Sequence, residues 1–152
     1  MRRLDLGPAE IDALLPQRAP FRFLDRVHAL DPDPPFLHGS LSLTGDEPIL
    51  AGHFPGLPIW PGACTLEGLA QSCRALESLL ATGAAPADGF PVIARVDVTL
   101  PAPVRPPCRL DYRVWRESER GGARTWRVEA AVGARVVARG RLTGGRLVVE
   151  EG

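Results

Sequence analysis

Three features of the chain predict an α+β protein in which one antiparallel sheet packs against a single main helix. A helical apolar period runs through residues 66–80. The second half then alternates apolar and polar residues with period two, in segments separated by glycines and prolines. Two shorter strand-like segments precede the helix. No repeat, low-complexity tract or linker divides the chain, so residues 1–152 are read as one domain with its own core.

Residues 8–15 read as a short helix, with Ile11, Leu14 and Leu15 at helical spacing and Pro16 and Pro20 to stop it. Residues 21–30 read as a first strand with imperfect alternation. Pro32, Pro34 and Pro35 form a loop, and residues 37–43 resume as a strand. From 52 to 62 the chain carries Gly52, Pro55, Gly56, Pro58, Pro61 and Gly62, a density that neither a helix nor a central strand tolerates. It is a loop with several fixed turns. In the helix that follows, Leu66, Leu69, Ala70, Cys73, Leu76 and Leu80 trace an apolar stripe, and Gly83 is placed to end it. Glu67, Gln71, Arg74 and Ser78 share a polar face.

After a loop of Ala, Pro, Asp and Gly, four strands follow. Their apolar positions are Val92 to Val98, Cys108 to Val114, Trp126 to Val132, and Val136, Ala138 and Leu142. Gly121-Gly122, Gly133 and Gly144-Gly145 mark hairpin turns. Residues 101–107 hold four prolines and read as a non-pairing connection.

Composition excludes several functions. Eighteen cations balance eighteen anions, so no general field favours nucleic acid or anionic lipid. No apolar run reaches a bilayer span and no signal segment develops after Met1, so a cytoplasmic protein is expected. Every cation is Arg. Without Lys there is no Schiff base, phosphate-loop lysine or kinase-type lysine. Cys64, Cys73 and Cys108 lack the spacing of a zinc or redox motif and read as small buried hydrophobes in a reducing compartment. Chemistry has to come from His28, His38, His53, carboxylates, hydroxyls, thiols or backbone dipoles.

His53 lies in the stiff loop just before a helix N-terminus, where position is fixed and backbone N–H groups are free. Alone, it reads as a loop histidine bonded to nearby backbone. Glu67 alone reads as a first-turn glutamate placed for the helix dipole. Their surroundings change this. The run Gly52-His53-Phe54-Pro55-Gly56-Leu57-Pro58-Ile59-Trp60-Pro61-Gly62, with Leu66-Glu67-Gly68-Leu69-Ala70-Gln71, resembles the active-site segment of FabZ-type 3-hydroxyacyl-acyl-carrier-protein dehydratases. Leu14-Leu15-Pro16-Gln17-Arg18-Ala19-Pro20-Phe21, continuing to Asp25-Arg26-Val27, resembles that family's N-terminal motif. The resemblance is strong over residues 10–76 and weak over the later strands.

This resemblance implies a hotdog fold, a curled antiparallel sheet wrapped around the long helix. It implies a homodimer or a trimer of dimers, in which the loop histidine faces the helix carboxylate of the neighbouring subunit. The partner it implies is an acyl carrier protein bearing the substrate. Carried over, the catalytic roles fall on His53 and Glu67. Glu67 with Pro55-Gly56 points to the plain dehydratase branch rather than to the branch that also isomerises its product and carries Asp at the helix position.

The chemistry agrees. Elimination needs a base for the C2 proton, which imidazole supplies near neutral pH, and an acid for the departing C3 hydroxyl, which a buried carboxyl can supply. The Gly62 backbone N–H, at the helix start, can take developing enolate charge. Gln71, one turn after Glu67, can orient the carboxylate, while Phe54 and Trp60 are expected against the substrate. No metal or organic cofactor is required.

Three departures from the family pattern stand out. Gln17 replaces a usual His, Trp60 replaces a common Met in a way that would narrow the acyl tunnel, and residues 100–108 lose a basic stretch. Arg22 stands where the family prefers an apolar residue and is read as solvated. With the absence of Lys, these point to a divergent member serving fatty-acid or specialised polyketide or polyene synthesis. A hotdog thioesterase and a non-catalytic partner subunit of a heteromeric dehydratase are the competing readings.

Overall fold

The computed structural model describes residues 1–81 and 90–147, with the side chains of Phe90, Pro91 and Leu147 left aside. In chain order the elements are β1 (Arg2–Leu6), α1 (Pro8–Asp12), β2 (Arg26–Pro32), β3 (Pro35–Leu43), α2 (Ile49–Gly52), α3 (Gly62–Leu80), β4 (Phe90–Thr99), β5 (Cys108–Arg120), β6 (Ala123–Val132) and β7 (Arg135–Leu147). The strands form one seven-stranded sheet in the order β1-β2-β3-β5-β6-β7-β4, and every neighbouring pair is antiparallel. The sheet curls over α3, which touches β3, β5, β6 and β7. This is the hotdog architecture that the sequence implies.

Alternation sets the inner face. Leu37 opposes Val114, Gly39 opposes Tyr112 and Leu41 opposes Leu110 across β3 and β5, and these side chains join Leu69, Cys73 and Leu76 of α3 in the core. Each fully buried leucine contributes about 1.5–3 kcal/mol by leaving water. The helix comes close to the sheet at Gly68, where a Cβ would lie 2.1 Å from the Tyr112 hydroxyl oxygen. Tyr112 is fully buried and donates that hydroxyl to the Phe23 carbonyl at 2.8 Å. Glycine at 68 is therefore required for the helix to sit down on β5.

Several elements differ from the sequence reading. α1 ends at Asp12 because the next turn tightens, the Ala13 N–H bonding the Glu10 carbonyl at 3.2 Å. The first strand begins at Arg26 rather than at 21. Instead of joining a ladder, the Phe21 N–H bonds the Arg18 carbonyl, and the Phe21 carbonyl and Phe23 backbone pair with the side chains of Gln71 and Tyr112. β1 is an additional edge strand, and α2 is a short helix ahead of the loop. Gly144 and Gly145 mark no turn: they lie inside β7, because the Trp126 ring occupies the space where a Gly144 Cβ would stand, 2.7 Å away. The proline-rich connection does pair at one point, where Trp60 N–H bonds the Val104 carbonyl at 2.9 Å. Arg22 is not solvated: it ion-pairs with Asp12 at 2.8 Å and donates to the Gln17 carbonyl, with its side chain 11% exposed. Gly83 and the Ala/Pro/Asp/Gly loop lie outside the described residues. Among the described residues no helix is long and apolar enough to cross a membrane.

Candidate active site

The loop between α2 and α3 is built from its prolines and glycines. Leu57 N–H bonds the Phe54 carbonyl at 2.9 Å, closing a turn with Pro55 and Gly56 at its centre, and Gly56 has φ +82°. That is the pattern of a type II turn, which needs glycine at its third position. Just before it, Phe54 holds φ +61°, the one non-glycine among the described residues in this left-handed region. Such strain persists where the surroundings dictate it, most often at functional sites. Its ring lies 4.4 Å, centroid to centroid, from that of His53 and is 56% exposed.

His53 follows α2 directly and is half-buried. Its Nδ1 lies 2.8 Å from the Ile59 carbonyl oxygen. A carbonyl can only accept, so Nδ1 carries a proton, and in the neutral ring the lone pair lies on Nε2. This bond fixes the ring's orientation and selects the tautomer a base needs.

His53 borders a cavity of about 250 Å³ whose other walls include Trp60, Gly62, Thr65, Leu100 and Val104. Pro61 caps α3 and Gly62 is its first residue, so the Gly62 N–H has no acceptor inside the helix. A Cβ at Gly62 would meet Leu100 Cδ1 at 2.7 Å, so a larger residue there would push that exposed side chain aside. Trp60 is 4% exposed and packs edge-on to Phe23 with 5.8 Å between centroids.

Glu67 sits in the second turn of α3, past the first-turn dipole position that the sequence suggests. It is not among the residues that line the His53 cavity. Burial pushes its carboxyl above the usual carboxylate range, and a hydrogen bond from Gln71 offsets part of that rise. Gln71 is 1% exposed, so the helix's polar face is not a solvated one. The segment 14–23 covers it, Gln71 bonding Phe21 and Phe23 and the Ser78 hydroxyl bonding the Leu14 carbonyl at 3.0 Å.

Two further groups of side chains could carry chemistry. Cys64 and Cys73 are buried and Cys108 is half-buried, and burial pushes all three thiols up, as inert packing residues. On the sheet face away from α3, His28, His38 and Asp111 bring their ligand-type atoms within 4.8 Å of one another, a grouping the sequence reading missed because its members come from three strands. Their polar atoms are engaged within the sheet. His28 Nε2 bonds Ser40 Oγ at 2.7 Å, and Asp111 is held by His38 at 2.7 Å and by the Arg109 guanidinium at 2.9 Å. That guanidinium opposes a second cation at Asp111.

The 3-hydroxyacyl-(acyl-carrier-protein) dehydratase FabZ of Sinorhizobium medicae is 33% identical over 136 residues, covering 88% of this chain and 86% of the relative. The FabZ of Campylobacter hominis is 34% identical over 134 residues, covering 88% and 92%. Among solved structures, the dehydratase heterocomplex ApeI:P from Xenorhabdus doucetiae superposes with a TM-score of 0.74 at 19% identity, over 96% of this chain and 93% of that one. The fluoroacetyl-CoA thioesterase FlK gives 0.59 at 16% identity over 74% and 84%, a likeness of fold alone. A family profile described as a FabA-like domain matches residues 15–141, and the chain belongs to that family.

Proposed function

We propose that the chain dehydrates a (3R)-3-hydroxyacyl thioester, carried on an acyl carrier protein, to the trans-2-enoyl thioester. The observation that carries this reading is the His53–Ile59 hydrogen bond, which leaves Nε2 as a free base at the edge of a cavity. Nε2 takes the C2 proton. Electron density moves onto the thioester oxygen, where the Gly62 N–H and the dipole of α3 stabilise it. The C2–C3 double bond then forms as the C3 hydroxyl leaves, taking a proton from the Glu67 carboxyl that burial keeps high. His53 and Glu67 are thus base and acid, Gln71 positions Glu67, and Phe54 and Trp60 contact substrate. The residues need no metal or organic cofactor for these steps.

The site is completed by a second copy of the chain. β4 is an edge strand, and Val92, Val96 and Leu100 on and beside it are 38%, 51% and 49% exposed. Such an edge pairs readily with another strand. Pairing two β4 edges gives a homodimer in which the partner's carboxylate reaches the cavity that this chain's Glu67 does not line. The Val96→Asp chain should run as a monomer in light scattering with its circular dichroism kept.

A second reading has one observation behind it. The neighbour with a TM-score of 0.74 is described as a heterocomplex, and the same edge would accept a paralogous chain.

The experiment is mass spectrometry of a panel of carrier-bound 3-hydroxyacyl thioesters incubated with the pure protein. Loss of one water from the carrier-bound acyl group is the expected result. Release of free acid would show a thioesterase instead. Turnover that appears only with a co-purified second chain would establish the heteromer.

A further inference from the structure

Leu100, Ala102, Pro103 and Val104, from the connection between β4 and β5, and Val137 from β7 all line the His53 cavity. The segments that carry them, residues 98–110 and 130–141, hold Arg105, Arg109, Arg135, Arg139 and Arg141 and no Asp or Glu. The chain as a whole balances eighteen cations against eighteen anions, so this border of the cavity is basic on a protein without net charge. Two of the five arginines are engaged within the sheet, Arg109 donating to Asp111 at 2.9 Å and Arg141 to Glu117 at 2.8 Å. Arg105, Arg135 and Arg139 are exposed and form no ion pair with a described residue. Each stands within two residues of the cavity wall. Arg105 follows Val104, and Arg135 and Arg139 flank Val137. Arg139 also pairs with Thr99 across the β4–β7 ladder, next to Leu100. One carboxylate, Glu129, stands opposite Arg139 on β6, but it opposes Arg113 of β5 as well. A single exposed arginine needs no explanation. Three beside one cavity, on segments free of acids, make a local positive field that steers an anionic partner.

Building on the dehydratase reading above, we propose that Arg105, Arg135 and Arg139 form the docking surface for the acidic acyl carrier protein that brings substrate to the His53 cavity. Charge complementarity selects this occupant. The carrier presents carboxylates and the phosphodiester that holds its arm, groups that guanidinium binds well, and the arm has to enter the cavity these arginines border. The connection at residues 100–108 lacks the basic stretch usual in the family and keeps only Arg105 near the cavity wall. Two of the three docking cations come from β7 instead.

The test presents one 3-hydroxyacyl group in two forms, on the carrier protein and on pantetheine, which has neither protein nor phosphate. In a triple variant carrying Arg105→Glu, Arg135→Glu and Arg139→Glu, kcat/KM for the carrier substrate should fall about tenfold or more at low ionic strength, mainly through KM. The deficit should narrow as added salt screens the charges. Turnover of the pantetheine thioester should be unchanged. Arginine to lysine at the same three positions keeps the charge and should keep most of the carrier preference. Arg2→Glu with Arg3→Glu, on β1 at the opposite edge of the sheet from β4, should leave both substrates unaffected. Kd for a carrier whose acyl arm is joined by an amide needs no turnover, so this inference and the dehydratase reading fail separately. Equal loss on both substrates in the triple variant would overturn the inference, because the arginines would then act on the cavity itself. So would unchanged carrier affinity and turnover, or an equal loss in the Arg2 and Arg3 variant, which would trace the effect to net charge alone.

Discussion

Gln71 Nε2 donates to Glu67 Oε1 at 3.1 Å and to the Phe21 carbonyl at 3.0 Å, while its Oε1 accepts the Phe23 N–H at 2.8 Å. One buried amide thus ties the proposed acid to the segment that covers it. Gln71→Met keeps the volume and leaves the Phe21 and Phe23 backbone groups unpaired. A stability loss of about 2–4 kcal/mol is expected in denaturant titration. The Gln71 bond lowers the Glu67 carboxyl against the larger effect of burial, so removing it moves that carboxyl further up. Because Glu67 must be protonated to act, the alkaline limb of kcat should move to higher pH. A shift the other way would contradict its role as the acid.

Glu67→Gln separates catalysis from stability. Burial raises the Glu67 carboxyl above its unfolded value, so the fold prefers the neutral form. The stability tied to that preference is present below the unfolded pKa and lost as pH rises through the folded one. The Gln variant should lose turnover yet melt no lower than wild type at neutral and alkaline pH, with the two curves converging in acid. Melting temperature against pH is the measurement.

His53→Ala should fold normally and lose about two to four orders of magnitude in kcat, the usual cost of removing a general base. Mixed with Glu67→Gln chains under subunit exchange, it should recover activity, because each mixed dimer contains one whole site. Exchange confirmed by tagged chains with no recovery would place both residues of a site on one chain.

Trp60→Met opens the cavity and removes the edge-on packing with Phe23. The melting point should fall, by an amount equivalent to about 1–3 kcal/mol, and preference across a chain-length series should shift toward longer acyl groups. A uniform loss at every length would reduce Trp60 to a packing residue.

Asp111→Asn tests the far side of the sheet. Burial works to raise the Asp111 carboxyl, but the hydrogen bonds from His38 and Arg109 outweigh it and hold the group low. Stability from this group is present above the unfolded pKa and lost as pH falls through the folded one. The variant should cost about 1–3 kcal/mol at neutral pH. The difference should vanish in acid below the ordinary carboxylate range, with turnover unaffected throughout. Thermal unfolding from pH 7 downward reads it.

Local pattern in the chain is enough for the long helix, the four C-terminal strands and the stiff loop. Each repeats a period or concentrates Gly and Pro, and both are properties of neighbouring residues. β1 is not legible this way, because the alternation of Arg3-Leu4-Asp5-Leu6 is too short to stand out, and the segment becomes a strand by pairing with β2. Gly144 and Gly145 mislead for a similar reason, since what they accommodate is Trp126 on the neighbouring strand.

By itself the sequence determined the order of the main helix and the strands around it, though not β1 or α2, the family motif and through that resemblance the hotdog class, and the presence of His53 and Glu67 on a loop and the helix behind it. Tertiary structure decided which imidazole nitrogen is free, that Gln71 is buried rather than solvated, and that Glu67 stays out of its own chain's His53 cavity. The physical reason is separation along the chain. Gln71 meets Phe23 across 48 residues, and Tyr112 meets Phe23 across 89. Partners that distant leave no local period to read, and only packing of the helix against the sheet brings them within hydrogen-bonding reach.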